Sequence, residues 1–482
     1  MSVTRAVYAA YQDANPEKIN HDLIYMRRTE ISKAEKFFED LFTSLKIPHI
    51  TFVSSQLITD EYEQRKYLPT KSRMMEESRL DLIIAKFRLE AEGETKELTF
   101  MQYFPKLVDD FFFHLSGNRY FALYQLSDKS FYSTSKGLFL KTLLMPLGIK
   151  FEDVEFMGES GETYKGLEYK LDPFRGKGSD VKNMLLYYFV EYGDSAIDYI
   201  FNQQDSEEKL VFFEEHDEDI EYEGYDSYKI KKGFSFFFLK EATEDQNFVN
   251  LLCTLMRAVR GTRKGLDTLF TDTNYLKKRI LNTTATNTTK ADKAILSIKR
   301  ILDEVTKEKL VQGGIEPEYT ENTFAIAKYM AWNFTDLIKL DTVSLENRRL
   351  RLFEYMVYPL LNKLSDATYR ILNSRNLTMK RLENVFSAIR PGFIIKNLVT
   401  NELLRYHNAT STLEMFSVAL RYSARGPQAL TGGVLLKFRA VHPSYVGLLS
   451  LSFASASDPG VTGTFCPLTK RINDFAFDPV PY

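Results

Sequence analysis

Of the 482 residues, 44% are hydrophobic and 27% charged. With a mean hydropathy of −0.28 and no run of about eighteen uncharged apolar residues, this composition excludes an intrinsically disordered chain and a helical membrane span; the length predicts about three domains. The net charge of −2 is unevenly spread: residues 345–482 hold 17 Lys and Arg against 9 Asp and Glu, a net of +8, which leaves −10 for residues 1–344. Such asymmetry points the C-terminal third toward phosphate and the remainder toward water or other proteins.

The opening residues, MSVTRAVYAAYQDANPEK, hold no apolar stretch long enough for a secretory leader, so the chain is expected to stay inside a cell. Cys253 and Cys466 lie far apart without a CxxC partner, which excludes a disulfide scaffold and a cysteine zinc site of ordinary spacing; both read as buried bystanders. Apolar residues at three- and four-residue spacing (Ile31, Ala34, Phe37, Phe38, Leu41, Phe42) predict a helix from Pro16 to about Leu45. Segments such as LDLIIAKFRLE and YFALYQL, broken by Gly, Asn and Asp, predict strands and hairpins, so the first third is mixed α and β.

Strand character continues over residues 130–245, where GETYKGLEYKLD predicts a hairpin and GFSFFFLK a buried strand. Between them, residues 205–226 carry eleven acidic side chains against Lys209 alone, and such a segment must be solvated or face a basic partner. It lacks the spacing of a calcium-binding loop. From Asn247 to Leu340 the pattern is helical, with Ala294, Ile295, Ile298, Ile301, Leu302 and Val305 forming one apolar stripe after the polar loop NTTATNTTK. The Asn-Thr-Thr triplets there read as loop and helix cap rather than as glycosylation acceptors. A further helix covers about 350–372, which Pro359 should kink or interrupt.

Self-contained catalytic chemistry is not legible. RGKGS at Arg175–Ser179 lacks the first glycine of a phosphate loop, whose place is taken by Leu171. The six histidines are scattered, no GxSxG elbow occurs, and the basic third has no DxD-type carboxylate cluster for magnesium. If the chain serves polymer chemistry, another chain holds the metal.

Residues 421–447, RYSARGPQALTGGVLLKFRAVHPSYVG, carry the most information. Gly426, Pro427, Gly432 and Gly433 bracket a tight loop, Arg421 and Arg425 flank its entrance, and Lys437 and Arg439, two apart, would share one face of an extended strand. Four cations around a glycine loop suit a phosphate backbone.

This stretch resembles the fork region of the β subunit of multisubunit RNA polymerases, R-x-S-x-x-G-P-G-G-L-T followed by R-D-V-H-P-[ST]-H-Y-G. Arg421, Ser423, Gly426, Pro427, Leu430 and Thr431 match the first part, and Arg439, Val441, His442, Pro443, Ser444 and Gly447 the second. LENRRLR (Leu345–Arg351) resembles the segment where the β chain leaves the lobe, IRPGFIIKNLV the helix before the fork, and FPKLVDDFFFHLSGNRYFALYQLS a protrusion segment in which Pro105, Gly117 and Gln125 match best.

The resemblance implies an α+β multidomain fold: protrusion at 1–125 and 346–412, lobe at 126–345, fork at 413–482. Because the chain ends soon after the fork, it implies the N-terminal half of a split β subunit, of the kind found in giant bacteriophages and of the non-virion type. It implies partners as well: the C-terminal half of β, split β′ subunits that hold magnesium, a promoter-specificity subunit, DNA template and nascent RNA, in the cytoplasm of an infected bacterial host. No cofactor of its own and no membrane are implied.

In that frame Arg421, Arg425, Lys437, Arg439, Arg348, Arg349 and Arg351 are the candidates for nucleic-acid contact. Ser423, Gly426, Pro427, Gly432, Gly433, His442, Pro443 and Asp458 would shape the fork loop. The two glycines of the family that follow GP are Gln428 and Ala429 here, and its basic loop tip is Gly432, Gly433 and Val434, so the loop is expected to act sterically. Rifamycin-pocket positions carry Arg405, Asn408, Val418, Ser423 and Arg425, with Ser423 alone retained, which predicts insensitivity to the drug. Two rival readings are a stand-alone nucleic-acid-binding protein and a virion structural protein with a β-like fold.

Overall fold

The computed structural model describes residues 34–44, 49–68, 72–108, 112–128, 131–135, 137–140, 147–172, 181–202, 209–215, 221–230, 233–260, 265, 270–281, 295, 302, 304–312, 315–316, 322–340, 343–372, 377–408, 410–427, 439, 441–450, 460–466, 471–472 and 476–477. The chain divides into two compact units, one formed by Met1–Lys129 with Asp341–Tyr482 and the other by Ser130–Leu340. Both mix helices with largely antiparallel sheets, as the strand-rich and helical stretches of the sequence led one to expect. Among the described residues no helix is long and apolar enough to cross a membrane.

The first unit opens with helix α1 (Ala34–Ser44), the described part of the longer helix expected from Pro16, and with the meander β1 (Ile50–Ile58), β2 (Leu80–Ala91) and β3 (Glu94–Pro105). Between β1 and β2 stands the short helix α2 (Glu61–Tyr67), capped by Asp60. The β2–β3 hairpin turns on Glu92 and Gly93, both at positive φ, the conformation that matches the twist of the flanking strands. Phenylalanines from α1 and the sheet build the core: Phe42 meets Phe87 edge-to-face at 5.2 Å and Phe100 at 6.0 Å. Each such buried ring contributes about 1.5–3 kcal/mol of transfer free energy. Four short strands follow, β4 (Leu107–Val108), β5 (Phe112–Leu115), β6 (Asn118–Ala122) and β7 (Tyr124–Asp128).

The second unit contains a five-stranded sheet of β8 (Phe131–Thr134), β9 (Gly137–Leu140), β10 (Leu147–Met157), β11 (Thr163–Asp172) and β12 (Lys182–Asn183), then helices α3 (Met184–Tyr192) and α4 (Ala196–Phe201). A three-stranded sheet of β13 (Val211–Glu215), β14 (Tyr225–Ile230) and β15 (Phe234–Leu239) precedes α5 (Gln246–Arg260), α6 (Thr273–Leu281), α7 (Glu304–Gln312) and α8 (Thr323–Trp332).

The expected GETYKGLEYKLD hairpin is instead one continuous strand, β11, paired along its length with β10. Gly166 at its middle is not a turn. A Cβ there would lie 2.8 Å from Asn250 Oδ1 and 3.1 Å from Cys253 Sγ, so the glycine admits α5 close to the sheet. Asn250 Oδ1 accepts from Leu167 N–H at 2.9 Å, and Thr254 Oγ1 accepts from Tyr169 N–H at 2.9 Å. Cys253 is fully buried in this contact, and burial pushes its thiol up to about 12, consistent with an inert core residue.

Asp226 departs from the expectation for the acidic stretch, because it is buried rather than solvated. Its carboxylate accepts from Ser160 Oγ (2.5 Å), Tyr164 Oη (2.7 Å) and the N–H groups of Ser160 (3.1 Å) and Ser227 (2.7 Å). Burial pushes this carboxyl up, but the four donors outweigh it and hold the group below the usual carboxylate range. The stripe residues Ala294, Ile298 and Ile301, the loop NTTATNTTK and the RGKGS segment lie outside the described residues.

The chain returns to the first unit with β16 (Arg348–Arg351), α9 (Phe353–Leu372), α10 (Met379–Ser387), α11 (Phe393–Val399), β17 (Leu404–Tyr406), α12 (Thr412–Ala419), β18 (Arg421–Ser423) and β19 (Thr462–Thr464). Helix α9 runs through Pro359 without interruption. Its buried face, with Tyr355, Met356, Val357, Leu360, Leu361 and Leu364, supplies the packing that outweighs one lost backbone hydrogen bond. The returning segment is woven into the opening one: Phe386 of α10 stacks on Phe87 at 4.5 Å, Tyr103 N–H donates to Pro391 O at 2.8 Å, and Gln102 Nε2 donates to Arg390 O at 2.9 Å.

Candidate nucleic-acid interface

Segments far apart in sequence meet on one four-stranded sheet of order β16, β7, β18, β19. The β7–β18 pairing is parallel and its neighbours are antiparallel, and the register aligns Arg351, Gln125, Ser423 and Thr462 in one row across all four strands. Side chains alternate between faces along a strand, so the adjacent row holds Tyr124 and Tyr422, both buried. Gly463 stands opposite Tyr422, where a Cβ would come within 2.8 Å of the tyrosine hydroxyl. The polar row is therefore set by a buried aromatic row beside it.

Gln125 is fully buried, and its Nε2 donates to Arg425 O at 3.2 Å and to Pro427 O at 2.9 Å. Gly426, between those carbonyls, has φ +114°, and a Cβ on it would lie 2.7 Å from Leu403 Cδ1 and 2.8 Å from Gln125 Nε2. Glycine is required here twice, for the backbone conformation and for the space. Ser423, also buried, accepts from Arg425 N–H at 3.1 Å, and Ala424 N–H donates to Val461 O at 2.6 Å. Gln125 was legible only as a motif match; its part in holding the loop was missed, because nothing in a linear pattern pairs residues 300 positions apart.

The second junction joins LENRRLR to VHPSYVG. Leu345 N–H donates to Ser444 Oγ at 3.0 Å, and Tyr445 Oη donates to Val343 O at 3.2 Å. His442 precedes the short 3₁₀ helix Pro443–Tyr445, and its Nδ1 accepts from Ser444 N–H at 3.2 Å and lies 2.8 Å from Ser444 Oγ.

Three of the expected phosphate contacts are corrected. Arg348, Arg349 and Arg351 are buried, Arg349 completely. Arg351 Nε donates to Glu354 Oε2 at 3.3 Å, and Arg349 pairs with Glu354 at 3.9 Å. All four positions of strand β16 are buried, so these guanidinium groups face protein rather than solvent. Arg421 is exposed, at the end of β18 on the face that Gln125 and Ser423 share, while Arg425 and Arg439 are half-buried. Arg439 has helical backbone, so the argument that it shares a strand face with Lys437 fails. Lys437, Gly432, Gly433, Asp458 and residues 428–434 lie outside the described residues.

Of the rifamycin-pocket positions, Arg405 on β17 and Asn408 are exposed, Val418 on α12 is half-buried, and Ser423 is buried. Strand β17 belongs to a separate sheet of order β17, β6, β5, β4, with Arg405 opposite Phe121. Beside it His407 stacks on Phe112 at 5.5 Å, and burial together with Arg119 holds its imidazole below the ordinary range.

The described residues contain no group of three or more His, Cys, Asp or Glu side chains placed to hold a metal ion. No curated protein sequence matches the chain. The model of a family described as non-virion RNA polymerase subunit matches residues 2–477, nearly the whole length. With the motif segments gathered on one sheet and a family match of that extent, the chain belongs to the non-virion RNA polymerase subunits.

Proposed function

We propose that this subunit supplies the β-like wall of the polymerase cleft: a protrusion and a lobe that hold duplex DNA by phosphate contacts, and a fork that keeps strands apart near the active centre and borders the path of nascent RNA. The observation that carries the proposal is the meeting of the β-like segments: the protrusion segment through Gln125, the fork entrance through Ser423–Pro427, LENRRLR through β16 and VHPSYVG through Ser444. Four stretches that resemble one family in order also pack as one local structure, as a common ancestral scaffold requires.

In this role the chain positions rather than reacts. Arg421, Arg425, Lys437 and Arg439 are the proposed backbone contacts, each neutralising one phosphate. The proposed magnesium for nucleotidyl transfer is held by a β′-like partner. The proposed partners are a chain resembling the C-terminal half of β, the parts of β′, and a promoter-specificity subunit. Positions Arg405, Asn408, Val418 and Arg425 carry the proposal that the enzyme is insensitive to rifampicin.

The test is to tag the chain, recover it from infected or co-expressing cells, identify its companions by mass, and assay the eluate for magnesium-dependent nucleotide incorporation on DNA. Recovery with β- and β′-like chains and RNA synthesis is the expected result. Recovery of a lone, inert chain overturns the proposal and favours a stand-alone nucleic-acid-binding protein; inhibition by submicromolar rifampicin overturns the pocket assignment.

A further inference from the structure

We propose that Gln125 is a positioning residue for Arg425: its carboxamide fixes the backbone of residues 425–427 and thereby the reach of the Arg425 guanidinium toward a nucleic-acid phosphate. The proposal rests on the function proposed above and names the part of the site that sets its geometry.

Gln125 sits on the strand next to β18, at the level of Ser423, where the chain leaves the sheet. Its two Nε2 protons are directed at the carbonyls on both sides of Gly426, at 3.2 and 2.9 Å, so one side chain spans the loop's first turn. Its Oε1 meets no donor among the described residues, so the amide acts here as a donor only. Ser423 Oγ holds the N–H of Arg425. Both the N–H and the C=O of Arg425 are thus held by side chains of the sheet, with Gly426 packed against Gln125 and Leu403. A half-buried arginine on a backbone fixed at both groups leaves it along one Cα–Cβ direction, and that restriction shortens the search a phosphate contact requires.

The experiment measures template DNA affinity of the assembled polymerase against salt for wild type, Gln125→Met, Arg425→Ala and the double variant. Methionine keeps the volume of glutamine and removes both donors. If Gln125 acts through Arg425, each single variant lowers the salt slope by about one, roughly a 3-fold smaller loss of affinity between 50 and 200 mM salt, and the double variant equals Arg425→Ala. A purely structural role for Gln125 gives additive losses instead and overturns the proposal, as does an unchanged slope in either single variant. Should Gln125→Met block assembly, Gln125→Asn keeps the amide but withdraws it by one methylene, and the same cycle applies. A wild-type assembly whose template binding does not respond to salt overturns the proposed function itself, whereas a salt-dependent wild type with an unaltered Gln125→Met variant overturns only the role of Gln125.

Discussion

Two glycines, Gly166 in the second unit and Gly426 in the first, admit a side-chain amide to a backbone that a Cβ would block, yet they serve different ends. At Gly166 the amide of Asn250 enters an extended strand and fastens a buried helix to a sheet. At Gly426 the amide of Gln125 fastens a turn that leaves the sheet carrying a half-buried arginine. Only Gly426 has positive φ, so only there do space and conformation both demand glycine. The same contact builds a core when both sides are packed elements and a site when one side is a loop.

The largest expected effect is from Gly426→Ala, which combines left-handed strain with contacts of 2.7 and 2.8 Å to Leu403 and Gln125 and should cost about 3 kcal/mol. Denaturation of the full chain together with template binding of the assembly checks it; an unchanged midpoint with unchanged binding would show that the turn is not constrained as described. Next comes Asn250→Ala, which strands the half-buried Leu167 N–H and the buried Tyr169 hydroxyl and should cost about 2 kcal/mol without altering the salt slope of template binding. A changed slope would end the distinction between core and site.

Gly166→Ala should cost about 1–2 kcal/mol, since the strand conformation is ordinary and the tightest obstacle is Asn250 Oδ1 at 2.8 Å, ahead of Cys253 Sγ at 3.1 Å. Combined with Asn250→Ala its cost should shrink, because the clashing carbonyl is gone; strict additivity in a denaturation cycle would refute that source of the glycine requirement. The smallest effect concerns acid. Asp226 is held below its unfolded range, so its contribution is complete above about pH 4 and is lost as pH falls through the folded value. Asp226→Asn should flatten that part of the stability profile of the full chain and leave the loop around Gly426 untouched, as hydrogen exchange at residues 424–427 would report.

Much of the architecture was legible because local patterning and local structure agree. GFSFFFLK is buried strand β15, LDLIIAKFRLE is β2, and the stretch from Asn247 onward contains the helices α5 to α8. The failures have a common cause in packing. Gly166 looked like a turn because glycine's tolerance of tight backbone is a local property, whereas its use here is to let Asn250 approach from 84 positions away. Pro359 looked like a break because its missing N–H is local, while the buried face of α9 that outweighs it is assembled from the whole unit. LENRRLR was a candidate for nucleic-acid contact through its resemblance to a β-subunit segment; in the fold its three arginines are buried, and Arg349 and Arg351 pair with Glu354.

The α+β character, the basic C-terminal third and the ordered motifs that resemble a polymerase β subunit are legible along the chain, since composition, periodicity and spacing are local properties. Which of its cations are buried, and what holds the fork entrance, follow from the fold. Burial and hydrogen bonding are properties of neighbours in space: Gln125 meets Arg425 and Pro427 across 300 residues because β7 and β18 pair in parallel, a register that neither segment encodes alone.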